Sequence, residues 1–265
     1  MNLFDTHAHL DGFVADGTVE AVLDRARAAG VESVCVVGSS AVSNELVADL
    51  VRARPEMLVG AAGLDRDQAE LSPDMERLAE LLEGAGMVAV GEIGLDYHYS
   101  GGTAGAQRGL FGRMLEFALE RRKPVIVHSR EADDDTLAML SEFADAWRGR
   151  GGASPPGILH CFTGGAEFAE RLVAAGLMIS FSGIVSFNNA GPLREVARRI
   201  PDERLLIETD CPYLAPKPYR GRVNEPAYVA RVAEVLAETR GVRVEELAAL
   251  TRANARRVFQ LEDGS

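Results

Sequence analysis

The sequence predicts a closed α/β barrel of the TIM type, (β/α)8, and three observations point to it. Short apolar runs alternate with longer amphipathic stretches, and the alternation repeats eight times along 265 residues. Most of the short runs are apolar throughout rather than at every second position, the pattern of parallel strands covered on both faces. The first run leads into His-Ala-His, not into the glycine-rich turn that opens a doubly wound nucleotide-binding sheet.

Taken in order, the strands are expected at Leu3–His7, Ser33–Gly38, Leu58–Leu64, Val88–Gly94, Pro124–His128, Gly157–Cys161, Met178–Ser182 and Leu205–Thr209. Helical patterns lie between them, among them Val19–Ala29, Met75–Glu83, Gln107–Arg122, Ala166–Ala175 and Glu225–Arg240, with a last helix near Val244–Phe259. Ser100–Gly105 reads as a flexible strand-to-helix loop and Gly149–Gly157 as a helix-to-strand loop, neither long enough to link domains. No shift in composition marks a boundary, so residues 1–265 are expected to form one domain with a frayed tail at Glu262–Ser265.

Composition narrows the function. With 28 basic against 40 acidic residues the formal charge is −12, which excludes gripping duplex DNA through a broad basic face, so any nucleic-acid contact must be local. An apolar fraction of 47% supports a large core and excludes disorder. The three cysteines, Cys35, Cys161 and Cys211, form no C-x-x-C, which argues against a disulfide framework or zinc knuckle and for a reducing compartment. No basic-then-apolar leader opens the chain, and no apolar stretch reaches membrane-spanning length. A cytoplasmic protein with no membrane partner, monomeric for want of a long exposed apolar stripe, is the expectation.

The chemistry collects at the strand ends. His7 and His9 end the first strand, His128 the fifth and His160 the sixth, while Glu92 and Asp210 end the fourth and eighth. In a barrel these ends converge on one mouth. Side chains alternate along a strand, so His7 and His9 point the same way. Imidazole and carboxylate are the usual ligands of Zn²⁺, Mn²⁺ and related ions. Six such groups are too many for one tetrahedral ion, but they suit a pair of divalent ions sharing one carboxylate; Mg²⁺, Mn²⁺ and Zn²⁺ all remain open. The fifth histidine, His98, sits on the rim and is read as a substrate contact or an exposed residue.

By the same alternation Asp5 lies below His7, and Glu208 below Asp210, where buried carboxylates take the spare N–H of ligating histidines. Neighbours on a strand face opposite ways, which excludes a catalytic Cys161–His160 pair. Arg130 shares the face of His128 and is expected to clamp a phosphate. Lys217, Arg220 and Arg222, interleaved with Tyr213 and Tyr219 after the eighth strand, suit phosphates and stacked bases.

Several blocks resemble the signatures of the TatD family: Phe4-Asp5-Thr6-His7-Ala8-His9-Leu10, Gly91-Glu92-Ile93-Gly94-Leu95-Asp96-Tyr97, Pro124-Val125-Ile126-Val127-His128-Ser129-Arg130-Glu131-Ala132, His160-Cys161-Phe162-Thr163-Gly164 and Glu208-Thr209-Asp210-Cys211-Pro212-Tyr213-Leu214. Arg220 to Pro226 and the closing Asn254, Val258 and Phe259 also fit, so the resemblance runs from first strand to last helix. It implies a metal-dependent deoxyribonuclease on an amidohydrolase-like barrel. One ion would take His7, His9, Glu92 and Asp210, and the other Glu92, His128 and His160. One departure stands out: where the family carries Gly-x-His-Pro after the third strand, this chain reads Ala62-Gly63-Leu64-Asp65-Arg66-Asp67, a change at the rim that bears on substrate.

The expected activity is hydrolysis of phosphodiesters, as a 3'-5' exodeoxyribonuclease on single-stranded DNA. Asp210 would be the general base, and Glu92 would be shared between the ions. A mouth lined by loops suits a strand end better than the middle of a duplex. Two other readings compete: hydrolysis of a cyclic amide or lactone, or deamination, on the same barrel, and a metal-binding scaffold without catalysis.

Overall fold

Eight parallel strands carry the apolar runs: β1 (Leu3–Ala8), β2 (Val31–Val37), β3 (Leu58–Ala62), β4 (Met87–Asp96), β5 (Val125–Arg130), β6 (Gly157–Leu159), β7 (Met178–Phe181) and β8 (Leu205–Ile207). They follow one another in sequence order around a single sheet. The computed structural model describes residues 1–71 and 74–261, so the expected fraying at Glu262–Ser265 lies outside the described residues.

Alternation along the strands builds two apolar layers. Val34, Val36, Val125, Val127, Leu159, Ile179, Leu205 and Ile207 face outward and pack beneath the helices. Their neighbours Cys35, Val37, Ile126, Ile158, Met178 and Leu206 join Phe4, Ala61 and Ala89 in a second cluster that draws on every strand. Ala255 and Val258 of the last helix (Val244–Val258) and Phe259 just after it complete this inner cluster, with the Phe4 and Phe259 rings 5.7 Å apart. The inner layer is thus closed at the end away from the mouth.

The same alternation carries Ile126 to His128, Ile158 to His160 and Leu206 to Glu208 and Asp210. An odd step separates Phe4 from His7 and Ala89 from Glu92, which regular pleating cannot bridge. Irregularities in register absorb it, between Asp5 and Ala8 on β1 and between Val90 and Ile93 on β4.

β1 and β8 meet along a thin seam. One isolated bridge joins Ala8 and Cys211. Around it the Asp210 N–H donates to the His7 carbonyl at 2.9 Å, and the His9 N–H to the Cys211 carbonyl at 2.8 Å. Thr6 Oγ1 donates to the Ile207 carbonyl at 3.0 Å. Buried Asp5 accepts from the Thr209 amide at 2.8 Å and the Thr209 hydroxyl at 2.6 Å.

The boundaries depart from expectation where the backbone turns. β6 and β8 stop before His160 and Asp210, because Cys161 and Asp210 adopt left-handed φ of 45° and 56° that break the ladder. Ser100–Gly105 is not a loop: Gly101–Thr103 form a 3-10 turn and a helix runs from Ala104 to Arg121. The helix expected from Glu225 starts at Val229, after a 3-10 turn opened by Pro226. Gly149–Gly157 does connect the helix Asp133–Gly149 to β6. Ala41–Ala53, Asp133–Gly149 and Gly191–Arg199 add longer helices to those foreseen.

Gly94 shows how tightly the mouth is built. Its φ of +135° suits only glycine, and a Cβ there would stand 2.1 Å from the His128 carbonyl oxygen. Gly94→Ala is expected to lower the unfolding free energy by about 3 kcal/mol or more, as a drop in the urea midpoint at unchanged slope.

Candidate metal centre

Backbone hydrogen bonds fix each element that supplies a side chain to the mouth. The Glu92 N–H donates to the Gly38 carbonyl at 2.7 Å, and the His160 N–H to the Val127 carbonyl at 3.0 Å. The left-handed turn at Asp210, a conformation that Asp tolerates, lets its carboxylate return toward β1. His7, Glu92 and His160 are buried; His9, His128 and Asp210 are partly open.

The six residues singled out from the strand ends come together, and Glu92 lies at their centre. Its Oε2 is 3.6 Å from His7 Nε2 and 3.4 Å from His9 Nε2. Its Oε1 is 3.6 Å from His128 Nδ1 and 3.4 Å from His160 Nε2. Asp210 Oδ1 completes the first group, 3.8 Å from His7 Nε2 and 3.7 Å from His9 Nε2. These gaps are too long for hydrogen bonds. They match the separation of about 3.4 Å between ligands held about 2.1 Å from an ion at tetrahedral angles.

Unspent polarity supports the fit. His7 Nδ1 and both nitrogens of His160 are buried without a hydrogen-bond partner. His9 Nδ1 donates to the Val37 carbonyl at 3.0 Å, which places the lone pair of neutral His9 on Nε2, facing Glu92. His7 Nε2 and His9 Nε2 stand 3.1 Å apart, a hydrogen bond when one of them carries a proton and a spacing that suits two ligands of one ion when neither does. His7, His9 and Glu92 could hold one ion, and Glu92, His128 and His160 another.

Charge within the cluster is strongly coupled. Burial opposes ionisation of Glu92, but His160, His7 and His9 outweigh it and hold its pKa well below the ordinary range. Burial and the neighbouring His160 lower His7. Burial would also lower His9, yet Glu92 and Asp210 lift it to about 9. His160 is likewise raised against burial by Glu92 and Glu208.

The supporting carboxylates divide. Glu208 Oε1 faces His160 Nδ1 at 3.4 Å and accepts from the Cys161 amide at 2.6 Å. Asp5 differs from expectation: it serves Thr209 and the His7 amide rather than a ring nitrogen, because the β1 irregularity turns it toward the seam. Burial, offset in part by Thr209, lifts its pKa to about 8. Asp96 does the work foreseen for Asp5, with Oδ2 3.3 Å from His128 Nε2. Despite burial, His128 and the Tyr99 amide lower Asp96 to about 2.

Asp96 ends β4 in the sequence block that also holds Glu92, and pairing it with Arg130 in the sheet would have revealed it. Asp96→Asn keeps an acceptor for the His98 and Tyr99 amides but loses the charge on His128. Its expected outcome is metal affinity about 10–100-fold weaker, read by competition with a chelator.

The rim cations singled out from the sequence, Arg130, Lys217 and Arg220, make their contacts outside the cluster. Arg130 lies over the Tyr99 ring at 4.6 Å and Arg220 over Phe187 at 3.9 Å. Lys217 Nζ meets the Asn188 side chain. His98 Nδ1 pairs with Glu131 at 2.6 Å. Tyr213 is 63% exposed with its ring 6.5 Å from His9, a flat face at the edge of the mouth. Among the described residues no helix is long and apolar enough to cross a membrane.

A family model described as TatD related DNase matches residues 4–260. An uncharacterized metal-dependent hydrolase of Escherichia coli K12, YcfH, is 42% identical over 265 residues, covering 99% of this chain and 97% of that protein. A protein of Pectobacterium carotovorum named 3'-5' ssDNA/RNA exonuclease TatD is 34% identical over 266 residues, covering 98% and 100%. The crystal structure of YJJV, a TatD homolog from Escherichia coli, superposes with a TM-score of 0.88 at 32% identity, covering 98% of both chains.

Proposed function

The chain belongs to the TatD family of metal-dependent hydrolases, and from that premise we propose that it removes nucleotides from the 3' ends of single-stranded DNA. The observation that carries this reading is Glu92, whose two oxygens each face a separate imidazole set. That arrangement suits two divalent ions, Mg²⁺, Mn²⁺ or Zn²⁺, one held by His7, His9, Glu92 and Asp210 and one by Glu92, His128 and His160. Such ions supply Lewis acidity, drawing charge from phosphoryl oxygens and making water more acidic.

The chain's own residues orient the reaction. Asp210, open to the mouth, takes the proton of the attacking water on its carboxylate. Asp96 and Glu208 steady the imidazoles of His128 and His160. Arg130, Lys217 and Arg220 meet phosphates outside the cluster, and Tyr213 offers a face for an unpaired base. The exonuclease named in Pectobacterium supports the same substrate class. Three free cysteines suit a reducing compartment such as the cytoplasm.

The test is metal-stripped protein given end-labelled single-stranded DNA, with Mg²⁺, Mn²⁺ or Zn²⁺ restored and His128→Ala as control. Stepwise shortening that needs both metal and His128 is expected. Metal-loaded wild type that leaves DNA intact but opens a dihydropyrimidine ring would replace this reading with amide hydrolysis.

A further inference from the structure

Arg66 belongs to the rim segment that departs from the family pattern, and the structure turns its side chain inward. Nη1 lies 3.7 Å from Glu92 Oε1, the oxygen that also faces His128 and His160. The side chain is only 22% exposed, and Nε is buried with no hydrogen-bond partner. Among the described residues no hydrogen bond is made by this guanidinium, although it carries five donors. Its nearest other carboxylate, on Asp67, stands 3.7 Å from Nε, again too far for a hydrogen bond.

The loop that presents Arg66 is firmly held. Asn44 donates to the Gly63 carbonyl at 2.9 Å and accepts from the Gly63 amide at 3.2 Å. The Asp65 amide donates to the Ser39 carbonyl at 3.1 Å, and the Asp65 carboxylate accepts from the Asp67 amide at 3.0 Å. The guanidinium is therefore aimed at the mouth by an ordered backbone.

The carboxylates of Glu92, Asp65, Asp67 and Asp96 keep the guanidinium charged against its burial. Glu92 Oε1 faces both Nη1 and the His128 and His160 rings, yet accepts no hydrogen bond from Arg66. The donors of Arg66 therefore remain for an oxygen that enters the mouth.

We propose that Arg66 is a phosphoryl clamp: its terminal nitrogens hold a non-bridging oxygen of the substrate phosphate beside the Glu92–His128–His160 position. The inference rests on the phosphodiester reading and sharpens it, because the clamp selects an anionic phosphoryl group over a neutral amide or lactone.

The experiment compares wild type, Arg66→Ala and Arg66→Lys, all metal-loaded. It measures metal content, the affinity for inorganic phosphate by titration calorimetry, and kcat/KM on a single-stranded oligonucleotide. Arg66→Ala is expected to keep its metal, to bind phosphate at least about 10-fold more weakly and to lose about 10²-fold to 10³-fold in kcat/KM, with partial recovery in Arg66→Lys. Wild type that binds phosphate through Arg66 but cleaves no oligonucleotide would refute the nuclease reading and leave the clamp standing. Equal phosphate affinity in wild type and Arg66→Ala, no phosphate binding by either, or loss of metal from Arg66→Ala would each overturn the clamp.

Discussion

Glu92→Gln is expected to lose hydrolysis by about 10⁴-fold and to retain at most one of the two proposed ions, because its side chain serves both halves of the centre. An amide has one carbonyl oxygen. Whichever way it turns, its NH₂ faces either His7 and His9 or His128 and His160, at the distances of 3.4 to 3.6 Å where a ligand oxygen now stands. Size and shape are preserved, so folding is not the variable. Metal analysis of the purified variant beside steady-state rates gives the answer. Glu92→Gln with full metal content and full activity would refute the shared-carboxylate arrangement.

Asp210→Asn weighs on chemistry more than on metal holding, because its amide oxygen can still face the His7 and His9 nitrogens. Glu92, His128 and His160 are untouched, and Asn accepts the φ of 56° as readily as Asp, so the turn survives. What disappears is the proposed proton acceptor at the edge of the mouth. The expected result is a kcat lower by about 10²-fold to 10⁴-fold, with the affinity for oligonucleotide changed much less. A variant that keeps wild-type kcat would remove Asp210 from proton transfer.

Much of the site was legible because strand alternation is a strict rule. Ile126 to His128 and Ile158 to His160 obey it, and the sequence alone places those imidazoles. The rule stops at irregularities. His7 and Glu92 reach the mouth only through shifts in register that no residue type announces, and the same shift on β1 sent Asp5 to the seam. Asp96 escaped notice because its partner, His128, lies 32 residues away on a neighbouring strand. Arg66 escaped because a charged residue in a loop reads as solvated until the backbone shows where it points. Among the elements, Gly101 and Gly102 suggested a loop where the chain winds a tight turn into a helix.

The seam between β1 and β8 has a consequence for how the molecule breathes. Asp5 and Thr209 are 204 residues apart, so this closure carries nearly the largest loop-closing entropy in the chain. Few backbone bonds span it, whereas β4 and β5 pair along most of their length. The proposed ligand set crosses it too, with His7 and His9 on one side and Asp210 on the other. Ions bound there would act as a latch that biases the ring toward its shut form. Amide protons at His9 and Asp210 should therefore exchange with deuterium sooner than those of β4 in chelated protein, and should be the ones most slowed when metal returns.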